Sequence, residues 1–114
     1  MVCVQLEEFA AIQNAGEILR VDGVDVFFVG PSDLSQSMGF IGRPDAPEVK
    51  SAIAQPLEKI VATGKMPGMP GTTQSVATIR ERGVLYIYTH LPVLLASAAQ
   101  DFFMAAEGRN IAGK

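Results

Sequence analysis

Apolar positions along this chain fall into two kinds of run, short consecutive blocks and longer stretches that recur every three or four residues, and the two kinds alternate. Residues 2–6 (VCVQL) form a β-prone block that stops at Glu7-Glu8. Residues 9–19 then carry helix formers broken by Gly16, which predicts a strand followed by helical pieces. Residues 24–29 (VDVFFV) form a stronger strand, entered from Gly23 and stopped by Gly30-Pro31, and its near-continuous apolarity predicts burial on both faces. Residues 32–38 read as a capped turn or short helix, and residues 39–47, with Gly39, Gly42, Pro44 and Pro47, read as a loop. Over 48–63, Val49, Ala52, Ile53, Leu57, Ile60 and Val61 make one helical stripe that Gly64 ends. Pro56 within it lacks an amide proton and predicts a kink. Residues 65–69 read as a strand against the preferences of Pro67 and Gly68, residues 72–82 as a helix stopped by Gly83, residues 84–88 as a strand, and residues 91–107 as a last helix.

Apolar strands separated by helix-length crossovers are the pattern of a parallel α/β sheet with right-handed connections. Four such units make either an open doubly wound sheet or half of a closed (β/α)8 barrel, and periodicity alone leaves both open. The 114 residues form one unit, since no Ser/Gly-rich linker or charge run divides them. A composition 48% hydrophobic and 18% charged excludes a disordered segment. Nine Lys+Arg against twelve Asp+Glu give a net charge of −3, which removes the basic footprint of a nucleic-acid or anionic-membrane binder. The longest strongly apolar stretch, residues 91–99, falls far below the roughly 20 residues that cross a bilayer. No charged n-region with a cleavage site follows Met1, and the single cysteine, Cys3, has no disulfide partner, so the expected compartment is the cytoplasm. Cys3 itself sits in an apolar block without a basic neighbour and is expected to be an inert core thiol.

In parallel α/β folds chemistry collects beyond the carboxyl ends of the strands. Gln5 and Glu7 stand there after the first strand, on one side at strand period, and Gly30, Pro31, Ser32 and Asp33 after the second. Two carboxylates on adjacent strand ends suit a hard divalent ion such as Mg2+ or Mn2+, while the lack of Cys/His clusters argues against structural zinc. Simpler roles compete: Asp33 as a helix N-cap, Glu7 as a first-turn carboxylate, and Gly30-Pro31 as an ordinary turn or an anion-contacting loop. His90 follows the last strand at the same mouth and is either a structural hydrogen-bonding residue or a catalytic one.

The Gln5-Leu6-Glu7 strand end, joined to Val24-Asp-Val-Phe-Phe-Val-Gly-Pro-Ser-Asp-Leu-Ser35, resembles the HpcH/HpaI aldolase family. The resemblance continues through Met38-Gly39, Gly42-Arg-Pro44, Pro47-Glu48-Val49, Gly64-Lys-Met-Pro-Gly68 and the strand and helix after Gly83, and so covers essentially the whole chain. It implies the C-terminal half, four βα units, of a TIM barrel belonging to a class II pyruvate aldolase that cleaves or forms 4-hydroxy-2-oxo acids. It further implies a divalent metal ion (Mg2+, Mn2+ or Co2+) held by Glu7 and Asp33, acting as a Lewis acid on pyruvate. Gln5 matches a substrate-contacting position, Gly30, Pro31, Ser32 and Asp33 match the loop that holds the pyruvate carboxylate, and Phe28 and Pro70 match walls of the substrate site. Pro70 stands where relatives more often carry an aliphatic residue, and Thr89-His90-Leu91-Pro92 replaces a Gly- and Asp-containing turn. The family's catalytic histidine, its acidic partner and its arginine come from earlier strands, so no catalytic residue is assigned here.

The expected partners are therefore an oxo acid (pyruvate) and an aldehyde, with no nucleic acid and no membrane. The last helix, with Val93, Leu94, Leu95, Phe102, Phe103 and Met104 among many alanines, has little polar face and predicts burial on nearly every side. The chain is accordingly expected to form a homo-oligomer or to join a partner half-barrel, with Phe102 and Phe103 in the contact, as the resemblance also implies. A non-catalytic half-barrel that binds metal or oxo acid, or associates with a full-length homologue, is the alternative. A flavodoxin-like binding module lacks a Gly-rich phosphate loop.

Overall fold

The structure, a computed structural model, describes residues 1–109. Strands β1 (Cys3–Leu6), β2 (Val26–Val29), β3 (Met66–Pro70) and β4 (Tyr86–Tyr88) form one sheet in the order β1-β2-β3-β4, with every neighbouring pair parallel. Helices α1 (Phe9–Gln13) and α2 (Ala15–Ile18) connect β1 to β2, α3 (Pro31–Ser37) and α4 (Pro47–Ala62) connect β2 to β3, α5 (Val76–Glu81) connects β3 to β4, and α6 (Leu91–Ala106) follows. The strand order separates the two folds that periodicity left open. A doubly wound sheet must reverse its direction of growth, whereas here each strand adds on the same side of the last, so crossovers of one hand lay their helices on one face. This is the winding of half a (β/α)8 barrel.

Strand register divides the sheet into two faces. Leu6, Phe27 and Val29 are buried on one, with Val4, Met69 and Ile87 packed around them. Ile12, Leu34, Val49, Leu57 and Ile60 of the crossover helices close that layer. Cys3, Gln5, Phe28, Gly68, Pro70 and Tyr86 occupy the alternate positions and so the opposite face, the inside of a barrel.

Several expectations shift. Cys3 is exposed, because it lies on the uncovered face of an edge strand, and is not a core thiol. The first helical stretch breaks at Asn14 (φ −92°, ψ 10°), with Gly16 inside α2. The Asn14 carbonyl accepts from both Glu17 and Ile18, starting a new helix there. Pro47 opens α4 instead of closing the loop, as its fixed φ suits a first helical position. Pro56 lies buried within an uninterrupted α4. The helix expected over 72–82 shrinks to α5, because the Thr72 amide donates to Ser75 Oγ (2.9 Å) and the Ser75 amide to Thr72 Oγ1 (3.3 Å), a side-chain turn that competes with helix. β4 holds only three residues, since the Val84 amide donates back to the Ile79 carbonyl (3.3 Å). The strand at 65–69 is present one residue later, as β3, despite Pro67 and Gly68.

The largest departure is α6. None of its residues is buried, and Phe102 and Phe103 are 70% and 63% exposed. A helix this apolar needs a surface that residues 1–109 do not place against it.

Candidate active site

Glu7 follows the last residue of β1, and Glu8 takes the N-cap position of α1. Glu7 is therefore not a first-turn carboxylate. The Gly30 amide donates to the Leu6 carbonyl (3.3 Å), so the ends of β1 and β2 stay side by side beyond the ladder. A Cβ built on Gly30 would lie 3.1 Å from Glu7 Oε2 and 3.2 Å from Glu7 Cβ. The half-buried Glu7 side chain thus lies over Gly30, whose φ of −97° any residue adopts; glycine serves here to admit the carboxylate.

Gly30 is the N-cap of α3 and Pro31 its first residue, which places Asp33 in the first turn and removes it from the N-cap role. The turn is fixed by the Leu34 amide donating to the Gly30 carbonyl (3.0 Å) and by Ser35 Oγ donating to the Ser32 carbonyl (2.6 Å). Asp33 is exposed, and its Oδ1 accepts from Gln36 Nε2 at 3.4 Å. Among the described residues, the ion pairs use other acids (Asp25, Glu17, Asp45 and Glu107), so neither Glu7 nor Asp33 is neutralised by a cation. Topology places both at the carboxyl ends of adjacent parallel strands. Among the described residues no group of three or more His, Cys, Asp and Glu gathers as a ligand set.

Gln5 pairs with Phe28 in register, on the open face below Glu7. Phe28 is 3% exposed, packed edge-on to Tyr86 (centroids 6.3 Å) and stacked on Tyr88 (5.3 Å, 28° between planes). The three rings meet across β3 because Gly68 has no side chain: a Cβ there would lie 2.8 Å from Phe28 Cδ2 and 3.1 Å from Tyr86 Cδ1. Pro70 pairs with Tyr88 at the mouth. His90 is exposed at the N-cap of α6, makes no capping bond, and sets its ring edge-on to Tyr88 at 5.1 Å. Sequence reasoning passed over Tyr86 and Tyr88; their two-residue spacing in the last strand was the signal that both face one side. A cleft of about 510 Å3 opens beside the mouth, between α4 and α5, lined by Pro31, Ser32, Pro70, Arg82 and His90 among others. Glu7 and Asp33 do not line it, so it adjoins the acid pair without containing it.

Residues 1–85 match the family model described as HpcH/HpaI aldolase/citrate lyase. A 4-hydroxy-2-oxo-heptane-1,7-dioate aldolase of Salmonella paratyphi A is 37% identical over 115 aligned residues, covering 98% of this chain and 44% of that protein. Among solved structures, an HpcH/HpaI aldolase/citrate lyase family protein from Burkholderia cenocepacia J2315 superposes with a TM-score of 0.83 at 29% identity, over 93% of this chain and 42% of that one. An HpcH/HpaI aldolase from Desulfitobacterium hafniense DCB-2 shares the fold with a TM-score of 0.77 at 24% identity, over 94% of this chain and 43% of that one. The chain thus spans less than half the length of the relatives it matches. Its sequence, its singly wound half-barrel and its mouth all lead to one assignment: the chain belongs to the HpcH/HpaI aldolase/citrate lyase family.

Proposed function

We propose that this chain supplies the ion- and oxo-acid-binding half of a divalent-metal-dependent aldolase that cleaves 4-hydroxy-2-oxo acids to pyruvate and an aldehyde. The observation that carries the reading is the Glu7 carboxylate lying over Gly30 with Asp33 in the turn that follows, two unneutralised acids on adjacent strand ends. An all-oxygen donor set with few protein ligands fits Mg2+, Mn2+ or Co2+, which keep several positions for water or substrate. When bound, such an ion supplies Lewis-acid stabilisation of the negative charge that develops on the oxo acid.

Glu7 and Asp33 hold the ion. Gln5 contacts the oxo acid through its amide, and the Ser32 and Asp33 amides, first-turn donors without intrahelical acceptors, meet its carboxylate. Phe28 and Pro70 wall the site and exclude water. In the reaction the C4 hydroxyl loses its proton, the C3–C4 bond breaks, C4 becomes the aldehyde carbonyl, and the bonding pair enters the enolate of pyruvate, which takes up a proton at C3. Neither the base nor a cation for the enolate is assigned to this chain, so its residues alone bind without turning over. The compartment that fits this reading is the cytoplasm, and no helix among the described residues is long and apolar enough to cross a membrane. The exposed apolar surface of α6 supports a homo-oligomer or a partner half-barrel that covers Phe102 and Phe103.

The test is pyruvate release from a 4-hydroxy-2-oxo acid by a complete barrel containing this chain, with and without a chelator, and with Asp33→Asn. Turnover that depends on added Mg2+ or Mn2+ and is lost in the variant supports the reading. Unchanged turnover in either arm removes the ion site from the chemistry.

A further inference from the structure

The aromatic groups on the open face run in one direction. Phe28 on β2, Tyr88 on β4 and His90 just beyond it form a continuous series, the first pair stacked at 5.3 Å and the second edge-on at 5.1 Å. The series starts beside Gln5 and ends at the rim of the mouth. A Cβ at Gly68 would meet Phe28 Cδ2 at 2.8 Å, so the bare glycine of β3 is what lets the Phe28 ring lie across that strand toward the tyrosines of β4. Tyr88 is 41% exposed in this chain, with one side of its ring covered by Phe28 and the other turned away from it.

Register sets what this surface can touch. Tyr88 stands three strand spacings from Glu7, about 14 Å along the sheet, too far for a group that reaches the reacting carbons of an oxo acid held at Glu7 and Asp33. With C1 to C3 taken up by the oxo-acid end, a substituent on C4 is the part of that substrate long enough to meet the wall. An open aromatic face rewards planar groups, which stack on it or meet its edge without losing the chain entropy of a flexible aliphatic tail. We infer that Tyr88, supported by Phe28 and His90, is the specificity-determining residue for the aldehyde side of the substrate, and that it favours 4-hydroxy-2-oxo acids and aldehydes whose carbonyl carbon bears an aromatic ring. The inference rests on the aldolase reading for the position of the reacting carbons; the binding of a planar ring to Tyr88 does not.

Two measurements keep the two readings apart. In the first, a complete barrel containing this chain cleaves 4-hydroxy-2-oxo-4-phenylbutanoate and 4-hydroxy-2-oxopentanoate, and kcat/KM is compared for wild type, Tyr88→Phe and Tyr88→Ala. The wall predicts a roughly three- to tenfold fall for the phenyl substrate in Tyr88→Ala, no change for the methyl substrate, and retention of the preference in Tyr88→Phe. Equal changes for both substrates in Tyr88→Ala, or no preference in the wild type, overturn the inference and leave the aldolase reading standing. In the second, benzaldehyde and butanal are titrated into the chain itself and followed by tyrosine emission. The chain has two tyrosines, Tyr86 and Tyr88, and no tryptophan, so a Tyr86→Phe background leaves the ring in question as the only reporter. Saturable quenching by benzaldehyde but not by butanal supports the wall, and it does so even if the barrel cleaves neither acid, in which case the aldolase reading alone falls. Equal or non-saturable quenching by both aldehydes rejects it.

Discussion

Phe27 and Phe28 are neighbours in sequence and face opposite ways, and the two sides of the sheet they represent are built on different principles. On Phe27's side the strands meet five crossover helices, and Leu6, Val29, Leu34, Leu57 and Ile60 pack into a closed apolar layer. On Phe28's side no crossover helix arrives, and the positions hold an amide, a glycine, a proline and tyrosines instead of a run of aliphatics. The first side is organised to keep water out and the second to present groups at its upper end. Residues of the closed apolar layer and residues of the proposed site therefore alternate along the same strands.

The sharpest break in that division comes from Phe27→Ala. Its ring is fully buried between sheet and helices, and its loss should cost about 3–5 kcal/mol in denaturant unfolding, with a cost below about 1 kcal/mol contradicting the closed layer. Asp33→Asn should do the reverse. In a complete barrel turnover should fall by about three orders of magnitude, the loss of several kcal/mol of transition-state stabilisation, while the unfolding midpoint stays in place. A parallel loss of stability would return Asp33 to a merely structural first-turn role.

Gly30→Ala probes the boundary between the two sides. The added methyl would lie 3.1 Å from Glu7 Oε2, so the carboxylate must shift, and ion affinity should drop by about tenfold with little effect on folding. An unchanged affinity would show that Glu7's place over Gly30 does not matter. The smallest effect is expected on α6: Phe102→Ser should change the stability of the chain alone by less than about 0.5 kcal/mol, because the ring is 70% exposed, and should weaken self-association measured by light scattering. A large loss of monomer stability would place Phe102 in the core.

Much of this division could be read in the residues themselves. The continuous apolarity of Val26-Phe27-Phe28-Val29 marked a strand covered on both sides, and Gly30-Pro31 marked its end, because those signals are local. The parity of Gln5 and Glu7 placed them on one side for the same reason. The direction of winding was not local: the same periodicity serves a doubly wound sheet, and only the pairing order β1-β2-β3-β4 distinguishes them. The exposure of Cys3 was hidden for a related reason, since a cysteine in an apolar block reads as buried until the strand is known to be an edge with one bare face. The aromatic series through Tyr88 was missed because it joins rings on two different strands, with Phe28 lying over the bare Gly68 of the strand between, a contact that period-two spacing cannot reveal. The apolar character of α6 was legible, but the burial expected from it is not found among residues 1–109, because apolarity alone does not say which surface, if any, lies against a helix.

The central claim is that Glu7 and Asp33 act together on one ion, and the most direct measurement of it is Mn2+ binding followed by electron paramagnetic resonance. The chain, its Glu7→Gln variant and its Asp33→Asn variant are titrated under conditions in which all three give the same unfolding curve. The account predicts one Mn2+ site per chain, weakened at least about tenfold by either substitution, as two ligands of one ion require. Equal Mn2+ affinity in all three proteins, or a loss in only one of the two variants, would contradict it.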